Sequence, residues 1–334
     1  MTTKIFVEFP GENHCESNDL LAVDCVHPDA YQLTHHLKYS MQRNTMNLLL
    51  RGDSSTDAVL NAILSEDEKF SACKYVTTNH FDIDSFLSVW CSLNVIRSVE
   101  FEIILREAAK IGDFRELNLI SPQKMEKDTA LRLVCWINSI ESKLFYEPFE
   151  SPISSAIGER DAKAKFDYFL PLFEAVLLDA FNPKFVKEYW EEYSKVVSEY
   201  AKLHVPLTCT QSSFHRFKDI GLVVVHSPEP LHYYSLFSVS EGFDIVVSVY
   251  SNARYEVEIK YTSYVDIFSR GCLPRVEMKA LASYFNKLET SRAIIASVSS
   301  ECLDNDGISI LISCLLLVYD GVTFIAVKLC IQSS

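Results

Sequence analysis

A short apolar run, Lys74–Thr78, gives way within six residues to a helical period over Asp84–Leu93, where Phe86, Leu87, Val89, Trp90 and Leu93 recur on one side. The same order of strand, loop and helix opens the chain. Lys4–Phe9 and Leu20–Cys25 are rich in apolar and aromatic residues and read as strands, with Asp24 near the end of the second. After a further apolar piece, Met46–Leu50, the turn Arg51-Gly52-Asp53-Ser54-Ser55-Thr56-Asp57 offers several caps for a helix over Ala58–Leu64. Strands that alternate with helices pair in parallel, because each return crosses over through the helix. The fold expected is therefore α/β, with a mainly parallel sheet and helices in the N-terminal lobe.

The period stays helical over Val99–Glu116, Lys127–Leu144, Phe166–Ala180 and Pro183–Leu203, with a connecting loop over Ser151–Gly158. Past Val205–Pro206 the pattern changes. Ile220–His226, Leu231–Val239, Asp244–Tyr250 and Tyr255–Tyr264 read as strands, Ser251-Asn252-Ala253-Arg254 as a hairpin loop, and Val276–Leu288 as an amphipathic helix. A chain of 334 residues exceeds one small core. Two lobes follow: an α/β lobe over residues 1–205, and a smaller α+β lobe rich in antiparallel hairpins over residues 206–334, whose least patterned part is Ser299–Ser334.

A formal net charge of −14 argues against holding long nucleic acid, which requires many neutralised phosphates. A small phosphorylated substrate or a short oligonucleotide fits that charge. Glu188–Glu199 reads as the solvated face of a helix. The cysteines form no CxxC and no paired zinc-ligand spacing, so no structural zinc site is expected. MTTKIFVEFPGEN carries no secretory apolar core, which places the thiols in a reducing, cytoplasmic setting. The apolar run Ile308–Tyr319 is shorter than the roughly 20 residues of a spanning helix, and Asp320-Gly321 closes it as a hairpin turn would. No membrane partner is expected. GxSxG, GxxxxGK[ST] and GxGxxG are all missing. Cys209 near His215 reads as a buried thiol, and His226 and His232 as parts of a turn between strands.

The chemistry concentrates in His80-Phe81-Asp82-Ile83-Asp84, at the carboxyl end of a strand where ligands of open α/β sheets gather. Alternation along an extended stretch points His80, Asp82 and Asp84 to one side. Two carboxylates with an imidazole suit Mn²⁺ or Mg²⁺ rather than zinc, and such ions serve phosphoester hydrolysis. Asp24, Asp53 and Asp113 are the candidates to complete the metal shell. Each has an ordinary reading as well: Asp82 or Asp84 as a helix cap, Asp53 or Asp57 as another, Asp113 as a turn former beside Gly112, and His35-His36 as surface residues.

The stretch His80-Phe81-Asp82-Ile83-Asp84-Ser85-Phe86-Leu87-Ser88 resembles the HxDxDGxxS element that opens the DHH phosphoesterase superfamily. It is also similar to a family of plant and bacterial proteins with an HFDxDG-type signature. The resemblance implies that Asp82 and Asp84 bind Mn²⁺ and that a second, small α/β lobe receives the substrate. Ser85 stands where the element has glycine, no contiguous Asp-His-His occurs, and the pair His35-His36 precedes the element instead of following it. Two functions are expected from this: a metal-dependent phosphoesterase, or a non-catalytic descendant that binds or regulates.

Overall fold

The computed structural model describes residues 4–9, 19–36, 48–120, 122–145, 157–205, 212–218, 221–243, 245–251, 255–259 and 267–269, together with strand residues between 308 and 333. The chain forms two compact units, Met1–Ser194 with Tyr264–Ser269, and Lys195–Ser263 with Arg270–Ser334.

The first unit is built on a four-stranded, all-parallel sheet of β1 (Ile5–Phe6), β2 (Leu20–Val23), β3 (Tyr31–Leu33) and β4 (Tyr75–Thr77), in the order β1-β4-β2-β3. Every residue of β2 is buried, as a central strand covered on both faces must be. Between β3 and β4 come a short 3₁₀ turn, Leu48–Leu50, and helices α1 (Ser55–Leu64) and α2 (Glu68–Ala72). Helix α3 (Ile83–Leu93) follows β4 and is buried nearly all round, which explains why its apolar side chains exceed a single stripe. The helical middle comprises α4 (Val95–Glu100), α5 (Glu102–Phe114), α6 (Lys124–Leu144), α7 (Ile157–Leu178) and α8 (Pro183–His204), the two units dividing within α8. Phe166, Phe169 and Phe173 of α7 close on Phe86, with ring centroids 5.1–6.1 Å apart, and fix the outer side of α3.

In the second unit β5 (Ser213–Phe217), β6 (Leu222–Ser227), β7 (Ile245–Tyr250) and β8 (Tyr255–Ile259) form a mixed sheet, in which only the β6–β7 pair is parallel. Val223, Val225, Leu236, Phe237, Val239 and Val246 make its core. β9 (Ile308–Ser313) and β12 (Lys328–Ser333) extend the sheet, while β10 (Leu316–Tyr319) and β11 (Val322–Ile325) pair antiparallel with Tyr319 opposite Val322. The mixed α/β class expected from the sequence is the one observed. Among the described residues no helix is long and apolar enough to cross a membrane.

Two element types differ from expectation. Leu231–Val239 holds a helix, α9 (Tyr233–Phe237), because the His232 side chain accepts the Tyr234 amide hydrogen and so caps it. β3 falls inside the histidine-rich stretch that shows no strand pattern; three residues are too few to display one. The loop over Ser151–Gly158, the hairpin tip at Asn252–Arg254 and the helix over Val276–Leu288 lie wholly or mainly outside the described residues.

Candidate metal centre

Three neighbouring parallel strands deliver the site. Asp24 directly follows β2, His35 and His36 follow β3, and His80 follows β4, so all four lie past strand carboxyl ends. Asp24 has a left-handed backbone, φ 52°, which a short polar side chain tolerates. That bend leaves its carboxylate buried between three imidazoles: His36 Nε2 lies 3.1 Å and His35 Nε2 3.5 Å from Oδ1, and His80 Nε2 3.2 Å from Oδ2.

Asp82, Asp84 and Ser85 belong to the start of α3. Asp82 is its N-cap, with Oδ1 accepting the Ser85 amide hydrogen at 2.8 Å, while Oδ2 stays 3.2 Å from His80 Nε2. Ser85 answers by accepting the Asp82 amide hydrogen on Oγ at 2.8 Å. Serine in the glycine position therefore completes a capping box and brings no backbone strain. Asp84, already inside the helix, turns to α1 and accepts two amide hydrogens there, from Ser55 at 2.7 Å and Thr56 at 2.9 Å. The expectation that strand alternation aligns His80, Asp82 and Asp84 is corrected by this geometry. A cap and a helical turn orient the aspartates, and the three side chains divide between two groups.

The groups that could hold an ion are Asp24 with His35 and His36, Asp24 with His80 and Asp82, and His35 with Asp84 and Asp113; in each the candidate ligand atoms lie within 4.8 Å of one another. Asp113 arrives from the last turn of α5. Gly112 lets that turn approach, since a Cβ there would stand 2.3 Å from Ile83 Cβ. Asp53 does not contribute its carboxylate, which accepts hydrogen bonds from Ser269; only its main-chain carbonyl reaches the site, 2.9 Å from His35 Nδ1. Asp57 pairs with Ser54 in a capping box for α1.

The titratable groups are shifted by burial and by one another. Burial opposes the charge on Asp24, yet hydrogen bonds with His36 and His80 hold its carboxyl well below the usual range. Asp82 is lowered in the same way, with His80 outweighing its burial. Burial, followed by the repulsion of Asp24, pushes the Asp84 carboxyl up to about 7, and burial drives Asp113 well above its ordinary value with Asp84 and Asp24 adding to the shift. His35 rises to about 9 and His80 well above its ordinary value, because the aspartates overcome their burial, whereas burial and His35 lower His36. Asp113 Oδ2 is shielded from solvent and takes no hydrogen bond among the described residues. Four crowded carboxylates, one carrying that oxygen, and three imidazoles make a donor set that could hold a divalent ion. Burial pushes the adjacent Cys25 thiol up to about 12, and it belongs to none of the three groups.

The sequence counts His35 and His36 with the acidic residues around the site, with an ordinary reading as surface residues; the structure corrects that reading, since His35 is buried and His36 largely so, both after the short strand β3. Ser55, whose hydroxyl donates to Asp24 at 2.7 Å, and Asn79, whose Oδ1 lies 2.7 Å from His80 Nδ1, carry no sequence signal of their own.

Residues 2–302 match the profile of a family of unknown function, DUF6687, and the chain belongs to that family. No curated protein and no solved structure matches it.

Proposed function

We propose that this member of the family is a divalent-metal-dependent phosphoesterase, a hydrolase that takes Mn²⁺ or Mg²⁺ at the Asp–His centre and acts on a small or short phosphoester. The observation that carries the reading is the meeting of Asp24, Asp82, Asp84, Asp113, His35, His36 and His80 in three overlapping groups. Asp24, His35 and His36 bring together in space the residue types that DHH phosphoesterases carry in one run, which supports the resemblance of the HFDID element. An ion held there supplies Lewis-acid charge to phosphoryl oxygens and makes water a better nucleophile.

The chain's own residues have separable tasks. Asp24 and Asp82 remain anionic at neutral pH, since both are lowered, and Asp24 belongs to two of the groups. His36, lowered by burial, is neutral at neutral pH and meets Asp24 through Nε2 at 3.1 Å. Ser55 and Ser85 keep Asp24 and Asp82 in place through hydrogen bonds of 2.7 and 2.8 Å.

Mn²⁺ titration followed by thermal melting tests the reading. At Mn²⁺ about 100-fold above Kd, roughly 2.7 kcal/mol of added stability raises the melting temperature of the unit by about 5–10 °C. A His80→Gln, Asp82→Asn variant, which keeps an N-cap, should show no rise. A wild type unmoved by millimolar Mn²⁺ would sink the proposal. Bis-p-nitrophenyl phosphate, short oligonucleotides and pyrophosphate then test turnover. Mn²⁺ binding without cleavage of any of them would favour the non-catalytic reading.

The pH dependence has a definite sign. Asp84, raised to about 7, and His35, raised to about 9, hold protons in the metal-free centre that must leave when an ion binds. Mn²⁺ affinity should therefore climb as pH rises through 7 towards 9, with proton release measurable by calorimetry in two buffers of different ionisation enthalpy. Affinity flat across that window would contradict protonated Asp84 and His35 in the metal-free centre.

A further inference from the structure

We infer that Ser269 is a positioning residue for the metal centre, acting through Asp53 on His35; the inference rests on the metal-binding reading above. Ser269 lies 216 positions from Asp53 and donates to its carboxylate twice, from the main-chain N–H at 2.7 Å and from Oγ at 2.6 Å. Asp53 belongs to the irregular connection before α1, and among the described residues Ser269 alone donates to its carboxylate. The neighbours of Ser269 seat on the same unit: Ile267 is buried, and the Phe268 ring lies 5.3 Å from the Arg51 guanidinium.

The effect on His35 follows from its two nitrogens. Nδ1 lies 2.9 Å from the Asp53 carbonyl oxygen, which can only accept, so Nδ1 keeps its hydrogen and Nε2 is the nitrogen that gives up its proton and offers a lone pair when an ion binds. Nε2 is the nitrogen 3.5 Å from Asp24. The Asp53 carbonyl thus commits His35 to the group with Asp24 and His36. Were the carbonyl to shift, Nδ1 could turn its hydrogen or its lone pair to Asp113 Oδ2, now 3.5 Å away, and that commitment would lapse.

Calorimetric Mn²⁺ titration of the full chain, with ¹⁵N-histidine spectra of the metal-free protein, tests this. Ser269→Ala should weaken Mn²⁺ binding about tenfold, the scale on which groups that orient metal ligands act. It should also remove the exchange-protected His35 Nδ1–H resonance, and Ser269→Thr should restore both. Asp53→Asn, which keeps the carbonyl but weakens the clamp, should move both readouts the same way and serves if Ser269→Ala does not fold. A merely structural role would lower the melting temperature and move neither. Wild-type affinity and an intact Nδ1–H signal in Ser269→Ala and Asp53→Asn would overturn the inference. A wild type that binds no Mn²⁺ would overturn the metal reading, and the metal-free spectra would still decide whether Ser269 orients His35.

Discussion

Asp24→Asn is expected to erase the Mn²⁺-induced rise in melting temperature and to lower kcat/KM for a hydrolysed phosphoester by on the order of 10³-fold, about 4 kcal/mol of transition-state stabilisation. The substitution keeps the side-chain shape, and asparagine tolerates the left-handed backbone at this position. What it removes is the charge common to two of the candidate groups. Asp24 is held below its ordinary carboxylate range in the fold, so its ionised form contributes stability above about pH 4 that is lost as the pH falls through the folded value. The variant should therefore melt a few degrees lower at pH 7 in EDTA, with the difference shrinking at low pH. Retained hydrolysis above a tenth of the wild-type rate would exclude Asp24 from the metal shell.

Gly112→Ala is the second large expectation. An exposed glycine-to-alanine change in a helix ordinarily stabilises by about 0.4–1 kcal/mol. Here the new Cβ would stand 2.3 Å from Ile83 Cβ, 2.5 Å from Cγ2 and 2.8 Å from Cγ1. Ile83 is the first residue of α3, and its Cβ is fixed to the backbone, so no rotamer change relieves the overlap. The ends of α3 and α5 must separate. We expect a net loss of about 1–3 kcal/mol, read as a lower denaturant midpoint, together with a fall in Mn²⁺ affinity because Asp113 moves with its neighbour. A stabilised variant would show that the two helix ends do not need this contact.

The parts legible in the sequence are those with a period or a fixed spacing. The helical stretches and the run from β4 into α3 could be read directly, because burial on a helix or strand leaves a repeat behind. His80, Asp82 and Asp84 were visible as a cluster, but their directions were not: the cap at Asp82 and the helical turn at Asp84 replace the alternation that extended chain implies. Asp24 and Asp113 join the cluster, while Asp53 turns its carboxylate to Ser269, a partner no local pattern reveals across 216 positions. His35 and His36 were visible as a pair, but the strand that places them, β3, was hidden by its brevity. Their role depends on which strands are neighbours, and that order, β1-β4-β2-β3, is a property of the whole sheet.

The two hydrogen bonds that Asp84 takes from the start of α1 also bear on how relatives in the family can drift. Asp84 and Asp82 are needed to begin two helices whether or not a substrate is ever cleaved. Were the proposed activity lost, these helix-starting duties alone would still favour keeping both, so the HFDID run would outlast it. His36 accepts no such duty in starting a helix, and Asp113 leaves a buried oxygen unsatisfied, so these two positions would be the first to erode. They are the positions at which a member without the proposed activity would first differ.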